Sequence, residues 1–419
     1  MLQVAQQCLN SNQVVPGPES IFLKVVDARA NLALILSQRL ARVKLPLSDV
    51  YGLLTTVVGT IHGVEDPFSS DSIAYYRTLL KALFVTLRAH PRGDSSDNGE
   101  EAEGGTTVDI IQIVLNILDR VVGRGFRSLV SLIHDHEAAI SPEDLALLTA
   151  ILQACLSLPT IDQSQTQILN IMASHKCVYA ATSLFSWADK LAIQGDPVYG
   201  ELSVLFLLEL SALPLLAEQM ACDGVLSNLL SANLTKYMLK SNVSPYSEAL
   251  VAQRCYGIWA KGLLPIMLNM LTSLGGTVAP EVAYVLNQFT HLLHLSVDRL
   301  EAPGASRTHT RSSPHYITLI AVSEINSLAL LTRILSALRI NNNRDIPTVD
   351  WDSAAVLENV EFWLSSDRLL KERLLPLGSR ELEWRGMKIG DKGNNVLEDK
   401  IISQLEAVRE VLSEEVEDE

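Results

Sequence analysis

Apolar residues in this chain fall in blocks ten to twenty positions long, and proline, glycine or short polar runs separate the blocks. Blocks of that length are too long for typical strands and carry apolar positions at helical spacing, so the pattern predicts an all-α protein. In the first third it predicts helices over 20–40, 48–61 and 70–88, divided by Pro46 and by His62 to Pro67, and a fourth over 107–122. Leu and Val occupy most sides of these helices, so each needs cover on more than one face. Stacked neighbouring helices supply it.

A recurring start signal organises the remainder of the chain. Ser141-Pro142, Asp196-Pro197, Ser244-Pro245 and Ser313-Pro314 each place a capping side chain before a proline, and Ala279-Pro280-Glu281 repeats the form without the capping oxygen. The cap accepts from an orphan backbone N–H, and proline in the first turn gives up an N–H that has no partner there. The five prolines recur every 43 residues or so on average, near the ~40–47 of armadillo and HEAT units. Gly125-Phe126, Gly224-Val225 and Gly262-Leu263 give a second landmark, at which a left-handed glycine is expected to end one helix before the next runs back. Together these predict one continuous armadillo/HEAT-like α-solenoid over 1–419. It carries a disordered loop at 91–107, a looser connection at 301–313, and an amphipathic helix at 397–416 whose end merges with an acidic tail at 413–419.

Composition supports packing and narrows the partners. Apolar residues make up 48%, aromatics 5% and charged residues 19%, with a mean hydropathy of +0.20, the opposite of a disordered chain. A formal charge of −15 argues against nucleic acid as a partner, because phosphate binding needs many cations; Arg120, Arg124 and Arg127 are too few to reverse it. The most apolar run, Leu202 to Ala217, holds Glu209 and Pro214 and is too short to cross a bilayer, so no membrane insertion is expected. The first ten residues lack a secretory pattern. Cys8, Cys155, Cys177, Cys222 and Cys255 form no paired motif and read as buried thiols of the cytosol or nucleus.

Candidate chemistry is sparse. The side chains of His134-Asp135-His136-Glu137 diverge by about 100° per residue on a helix and cannot converge on one ion. His291, His294 and Asp298 share a face but lack a third strong ligand, and a solvated face is the better reading. No phosphate loop and no Gly-x-Ser-x-Gly elbow is present. The chain is therefore expected to be no enzyme and to hold no cofactor and no metal. What remains is aromatic: Trp351, Phe362, Trp363 and Trp384 cluster near the end, as core residues or as anchors that receive apolar side chains of a partner.

The same segment carries a resemblance. Trp351-Asp-Ser-Ala-Ala-Val-Leu-Glu-Asn-Val-Glu-Phe-Trp-Leu, Lys371-Glu-Arg-Leu-Leu-Pro and Trp384-Arg-Gly-Met-Lys-Ile-Gly resemble the C-terminal region of the large inner-ring scaffold nucleoporins named for a mass of one hundred and eighty-eight kilodaltons, which belong to the karyopherin-like α-solenoid nucleoporins. The resemblance implies a structural scaffold of the nuclear pore complex at the nuclear envelope, serving protein and mRNA transport. It implies partners among other nucleoporins: a helix of a linker nucleoporin, and phenylalanine-glycine repeats. It also implies that these 419 residues correspond to the end of a longer protein. The alternative is a generic armadillo or HEAT adaptor, or a transport receptor, gripping a protein partner.

Overall fold

The structure, a computed structural model, describes residues 1–10, 19–43, 46–89, 104–137, 139–158, 161–240, 242–302, 316–340, 345–388 and 394–417. Regular structure among them is helical, and β-pairing is limited to three isolated bridges, such as Ile317 with Leu374. The fold is all-α, of the armadillo/HEAT-like solenoid class, and it divides into two units, Met1–Leu184 and Phe185–Glu419.

In the first unit Glu19–Leu40 packs on Leu2–Asn10 and on Ile73–Arg88, which also meets Leu47–His62 and Pro142–Leu156. The period explains the packing. Ile73–Arg88 buries Ile73, Tyr76, Leu79, Leu80, Leu83 and Leu87, positions three and four apart, and each large apolar side chain withdrawn from water contributes roughly 1.5–3 kcal/mol. In the second unit Leu319–Ile340 packs on Val396–Glu417 and on Leu264–Leu274, and Val198–Ser211 packs on Leu250–Ile258. The closing helix, expected over 397–416, runs from Val396 to Glu417 and buries Leu397, Ile401, Leu405, Val408 and Leu412.

The proline-led starts divide. Pro142 opens Pro142–Leu156, where the Asp144 carboxylate accepts from the N–H (2.9 Å) and the hydroxyl (3.1 Å) of Ser141. Arg77 then fixes that carboxylate from Ile73–Arg88, at 2.7 Å from Nη2. Pro280 lies in the first turn of Ala279–Gln288 as expected. Asp196 does not cap: the helix begins one residue past Pro197, at Val198, and Asp196 accepts instead from Arg254 Nη2 at 2.8 Å. Glu201 accepts from the same guanidinium, so Arg254 ties the start of Val198–Ser211 to Leu250–Ile258. Two carboxylates hold the Arg254 proton more tightly than usual, first through the hydrogen bonds of Asp196 and against the opposing effect of burial. Arg254→Lys, which keeps the charge and loses the fork, is expected to cost about 1–2 kcal/mol in urea-induced unfolding.

Ser244-Pro245 starts no helix. The Ser244 hydroxyl accepts from the N–H of Tyr246 at 3.3 Å, a local turn that competes with helix, and the next helix opens at Leu250. Ser313-Pro314 lies outside the described residues, as do 303–313 of the looser connection. Of the expected loop, 91–103 also lies outside them, and from Gly104 the chain is helical.

The glycine landmark holds at one position of three. Gly224 has φ +63° and precedes Val225–Ser231, a backbone only glycine adopts freely. Gly125 and Gly262 end no helix. Gly104–Ile117, the π-helical turn Leu118–Gly123 and Arg124–His134 form one uninterrupted run, and Leu250–Ile258, the π-helical turn Trp259–Leu263 and Leu264–Leu274 form another. In these runs glycine admits a neighbour. A Cβ on Gly123 would stand 2.6 Å from His175 Cδ2, and one on Gly262 would stand 2.3 Å from Val204 Cγ1. Gly59, in Leu47–His62, is the reverse case, since a Cβ there meets nothing within 4 Å. Gly59→Ala is expected to stabilise the protein by about 0.5–1 kcal/mol, visible as a raised urea midpoint.

Leu319–Ile340 lies in the second unit. It is long and apolar enough to cross a membrane by length and composition, although 56% of its most apolar window is buried inside the protein. It carries Glu324, which is fully buried.

Candidate protein-binding surfaces

The four aromatics named from sequence separate into two pairs. Trp351 and Trp363 are buried, and each indole N–H donates inward, Trp351 to Ser296 Oγ at 3.0 Å and Trp363 to the Leu300 carbonyl at 2.7 Å. They dock Ser353–Ser365 and the segment before it on Thr290–Arg299 and its end, and offer no ring face to a partner. Phe362 is half-buried with its ring edge-on to Trp363, centroids 5.4 Å apart. Trp384 is half-buried with Arg380 at 4.7 Å and Lys400 at 4.9 Å from its ring, so cations already occupy its π surface.

Sequence reasoning missed the better groove. Val225–Ser231, Asn233–Met238 and Ala279–Gln288 enclose a cavity of about 390 Å³ lined by Leu230, Leu239, Tyr284 and Phe289. Tyr284 is 57% and Leu239 48% exposed, and Phe289 forms the buried base. Ser227 donates to Glu281 across the rim at 3.1 Å. The only sequence signal was a tyrosine on a helix otherwise apolar inward. A larger groove, about 1010 Å³, opens in the first unit along Leu47–His62, where Tyr51, Thr55, Gly59 and Tyr75 line it.

The polar interior is structural. Glu324 accepts from Tyr256 Oη at 2.5 Å, from Trp259 Nε1 at 2.8 Å and from Arg299 Nη1 at 2.6 Å. Arg299 also stacks on the Tyr256 ring, its guanidinium 4.4 Å from the centroid. Burial, reinforced by the Glu324 charge, pushes the Tyr256 phenol well above its ordinary pKa. Burial alone would lower the Arg299 pKa, and Glu324 together with the Tyr256 and Tyr246 side chains outweighs it, so the pKa is raised. Glu324 thus joins three helices by neutralising one cation.

Three of the five cysteines, Cys155, Cys177 and Cys255, are buried as expected, whereas Cys8 is half-buried and Cys222 is exposed. Burial pushes the Cys177 and Cys255 thiols up to about 12, and that of Cys155 higher, far from a thiolate nucleophile at neutral pH. His134 to Glu137 straddle the end of Arg124–His134, with His136 in a left-handed conformation. His294 pairs with Asp350 at 3.1 Å, away from His291. Among the described residues no group of three or more His, Cys, Asp or Glu is placed to hold a metal ion.

Residues 53–412 match the family described as Nuclear pore protein NUP188 C-terminal domain. The chain is 51% identical to Nucleoporin NUP188 of Chaetomium thermophilum across 98% of its own length and 24% of that protein. It is 23% identical to Nucleoporin NUP188 of Saccharomyces cerevisiae, across 67% of this chain and 17% of that one. The chain therefore spans about a quarter or less of the curated relatives it matches. Among solved structures it resembles Nup188(aa1445-1827) from Myceliophthora thermophila, at 57% identity and a TM-score of 0.77, covering 87% of this chain and 98% of that one. With a helical fold, a family match over most of its length and a solved relative superposing on it, the chain belongs to the NUP188 C-terminal domain family of nuclear pore proteins.

Proposed function

We propose that this chain is a non-enzymatic scaffold module of the nuclear pore complex at the nuclear envelope, held by other nucleoporins through its helix stack. The observation that carries the reading is an apolar, aromatic-walled groove among Val225–Ser231, Asn233–Met238 and Ala279–Gln288, in a chain of a nucleoporin family whose buried Glu324 and Arg299 are consumed by packing. Tyr284 and Leu239 flank a space of about 390 Å³, enough for one aromatic side chain of a phenylalanine-glycine repeat; an aromatic anchor in a desolvated pocket is the usual energetic centre of an interface. The larger groove along Leu47–His62 suits an amphipathic helix of a linker nucleoporin.

Immobilised phenylalanine-glycine repeats are expected to retain the chain weakly and in a salt-tolerant way, and a Phe→Ser repeat is expected to release it. Tyr284→Ala together with Leu239→Ser is expected to weaken retention about tenfold, the loss of one anchor. Equal retention on the serine repeat removes the repeat-binding part of the reading. The tagged protein is expected as a punctate ring at the nuclear envelope. Diffuse protein with a stoichiometric partner outside the pore favours a generic adaptor.

A further inference from the structure

A third cavity, also about 390 Å³, lies in the first unit between the end of Leu47–His62, the residues just after it, and the helical run through Leu118–Gly123 into Arg124–His134. Arg120 and Arg124 line it with Ser128, Ser131 and His62, a polar set on one helical face and one facing helix end. Both guanidiniums are exposed and neither has an ion pair or hydrogen bond among the described residues. The arginines of the folded interior behave otherwise: Arg77, Arg254 and Arg299 each hold a carboxylate.

The wall is also left unsatisfied. His62 Nε2 is buried without a hydrogen-bond partner, and native proteins leave few such atoms. Burial, and then the Arg120 charge, hold the His62 pKa below its ordinary value, and both side chains line this cavity. Arg124 acts in the same way on Tyr76, whose phenol burial raises to about 12 against the pull of that cation. Glu65 and Asp66 line the same cavity, are exposed, and pair with neither arginine. Two unpaired cations thus face one small cavity in a chain of net charge −15.

We propose that this cavity binds a phosphate group, as a monoester or as the free ion, with Arg120 and Arg124 as a bidentate clamp and the Ser128 and Ser131 hydroxyls as neutral donors. The donor set favours phosphate over carboxylate. Each guanidinium presents five N–H groups in a fixed fork, more than two carboxylate oxygens can use, whereas a phosphate monoester offers three terminal oxygens and about −1.5 to −2 charge at pH 7. The phosphate is carried by a phosphorylated serine or threonine of a partner segment, or arrives as the free ion. The inference is independent of the scaffold reading.

The test titrates the full chain with inorganic phosphate, with a capped Gly-Gly-phosphoserine-Gly-Gly peptide, and with its Glu and Ser counterparts, following the His62 ring signals by NMR. Saturable shifts are expected with the phosphopeptide, about tenfold weaker with the Glu peptide and absent with the Ser peptide. Phosphate binding as tightly as the phosphopeptide assigns a free-ion source, and tighter phosphopeptide binding assigns a side-chain source; both support the site. Arg120→Gln with Arg124→Gln is expected to weaken binding at least about tenfold with an unchanged melting temperature, since both side chains are exposed. Arg120→Lys with Arg124→Lys, retaining charge without the fork, is expected to fall between. The proposal is overturned by a Glu peptide that binds as tightly as the phosphopeptide. It is equally overturned by a glutamine variant that binds normally, or by no saturable binding below roughly 10 mM of either phosphate probe.

Discussion

Glu324→Ala is expected to destabilise the Phe185–Glu419 unit by about 3–5 kcal/mol, because it leaves Arg299 as a nearly buried cation without its counter-charge. The same substitution strips an acceptor from the Tyr256 hydroxyl and from the Trp259 indole N–H, and both side chains are fully buried. Urea unfolding followed by circular dichroism at 222 nm measures the loss. Glu324→Gln strands the Arg299 charge in the same way but keeps shape and one acceptor, so it is expected to lose less than Glu324→Ala. Replacing both charges, with Glu324→Leu and Arg299→Met, is expected to recover much of the single-variant loss, because an apolar pair removes the stranded charge. A double variant as unstable as the sum of the singles would show that the network acts through packing alone.

Gly262→Ala is the second large effect. Its added methyl would lie 2.3 Å from Val204 Cγ1, closer than real carbon atoms approach, and Val204 is fully buried on a helix where its rotamer is nearly fixed. The helical run through Trp259–Leu263 must move away from Val198–Ser211, opening the contact between them. A cost of about 1–3 kcal/mol is expected by overpacking, even though alanine is the better helix former by about 1 kcal/mol. Val204→Ala removes the obstructing methyl groups, so the double variant Gly262→Ala/Val204→Ala is expected to be more stable than the sum of its parts. Additive losses would overturn the steric account. Gly59→Ala, with open space in place of Val204, carries the opposite sign and serves as the control.

These two glycines show what was legible in the sequence. The helices themselves were, because apolar spacing is a local signal: 20–40, 48–61 and 70–88 were expected and Glu19–Leu40, Leu47–His62 and Ile73–Arg88 stand there. Pro142 was legible for the same reason, since Ser141 and Asp144 complete the cap within four residues. Gly262 was not, because its requirement comes from Val204, 58 positions away and on another helix. Asp196 was misjudged in the same way, its partner Arg254 lying on another helix. For the candidate surfaces, composition located the aromatics without telling their environment. Trp351 and Trp363 turn inward to Ser296 and Leu300, whereas the groove beside Tyr284 draws on helices from Val225 to Gln288 that only folding brings together.

The π-helical turns bear on how relatives of this chain are aligned. A π turn closes its hydrogen bonds five residues apart instead of four and so absorbs one additional residue without breaking the helix. Deleting one residue from Leu118–Gly123 would restore an ordinary α-helical count and swing everything after it by about 100° about the axis. Phe126, Leu129, Val130 and Ile133, which are buried at present, would then leave the core side. A one-residue gap placed here, harmless in a surface turn, amounts to a change of helical phase for eleven residues of Arg124–His134.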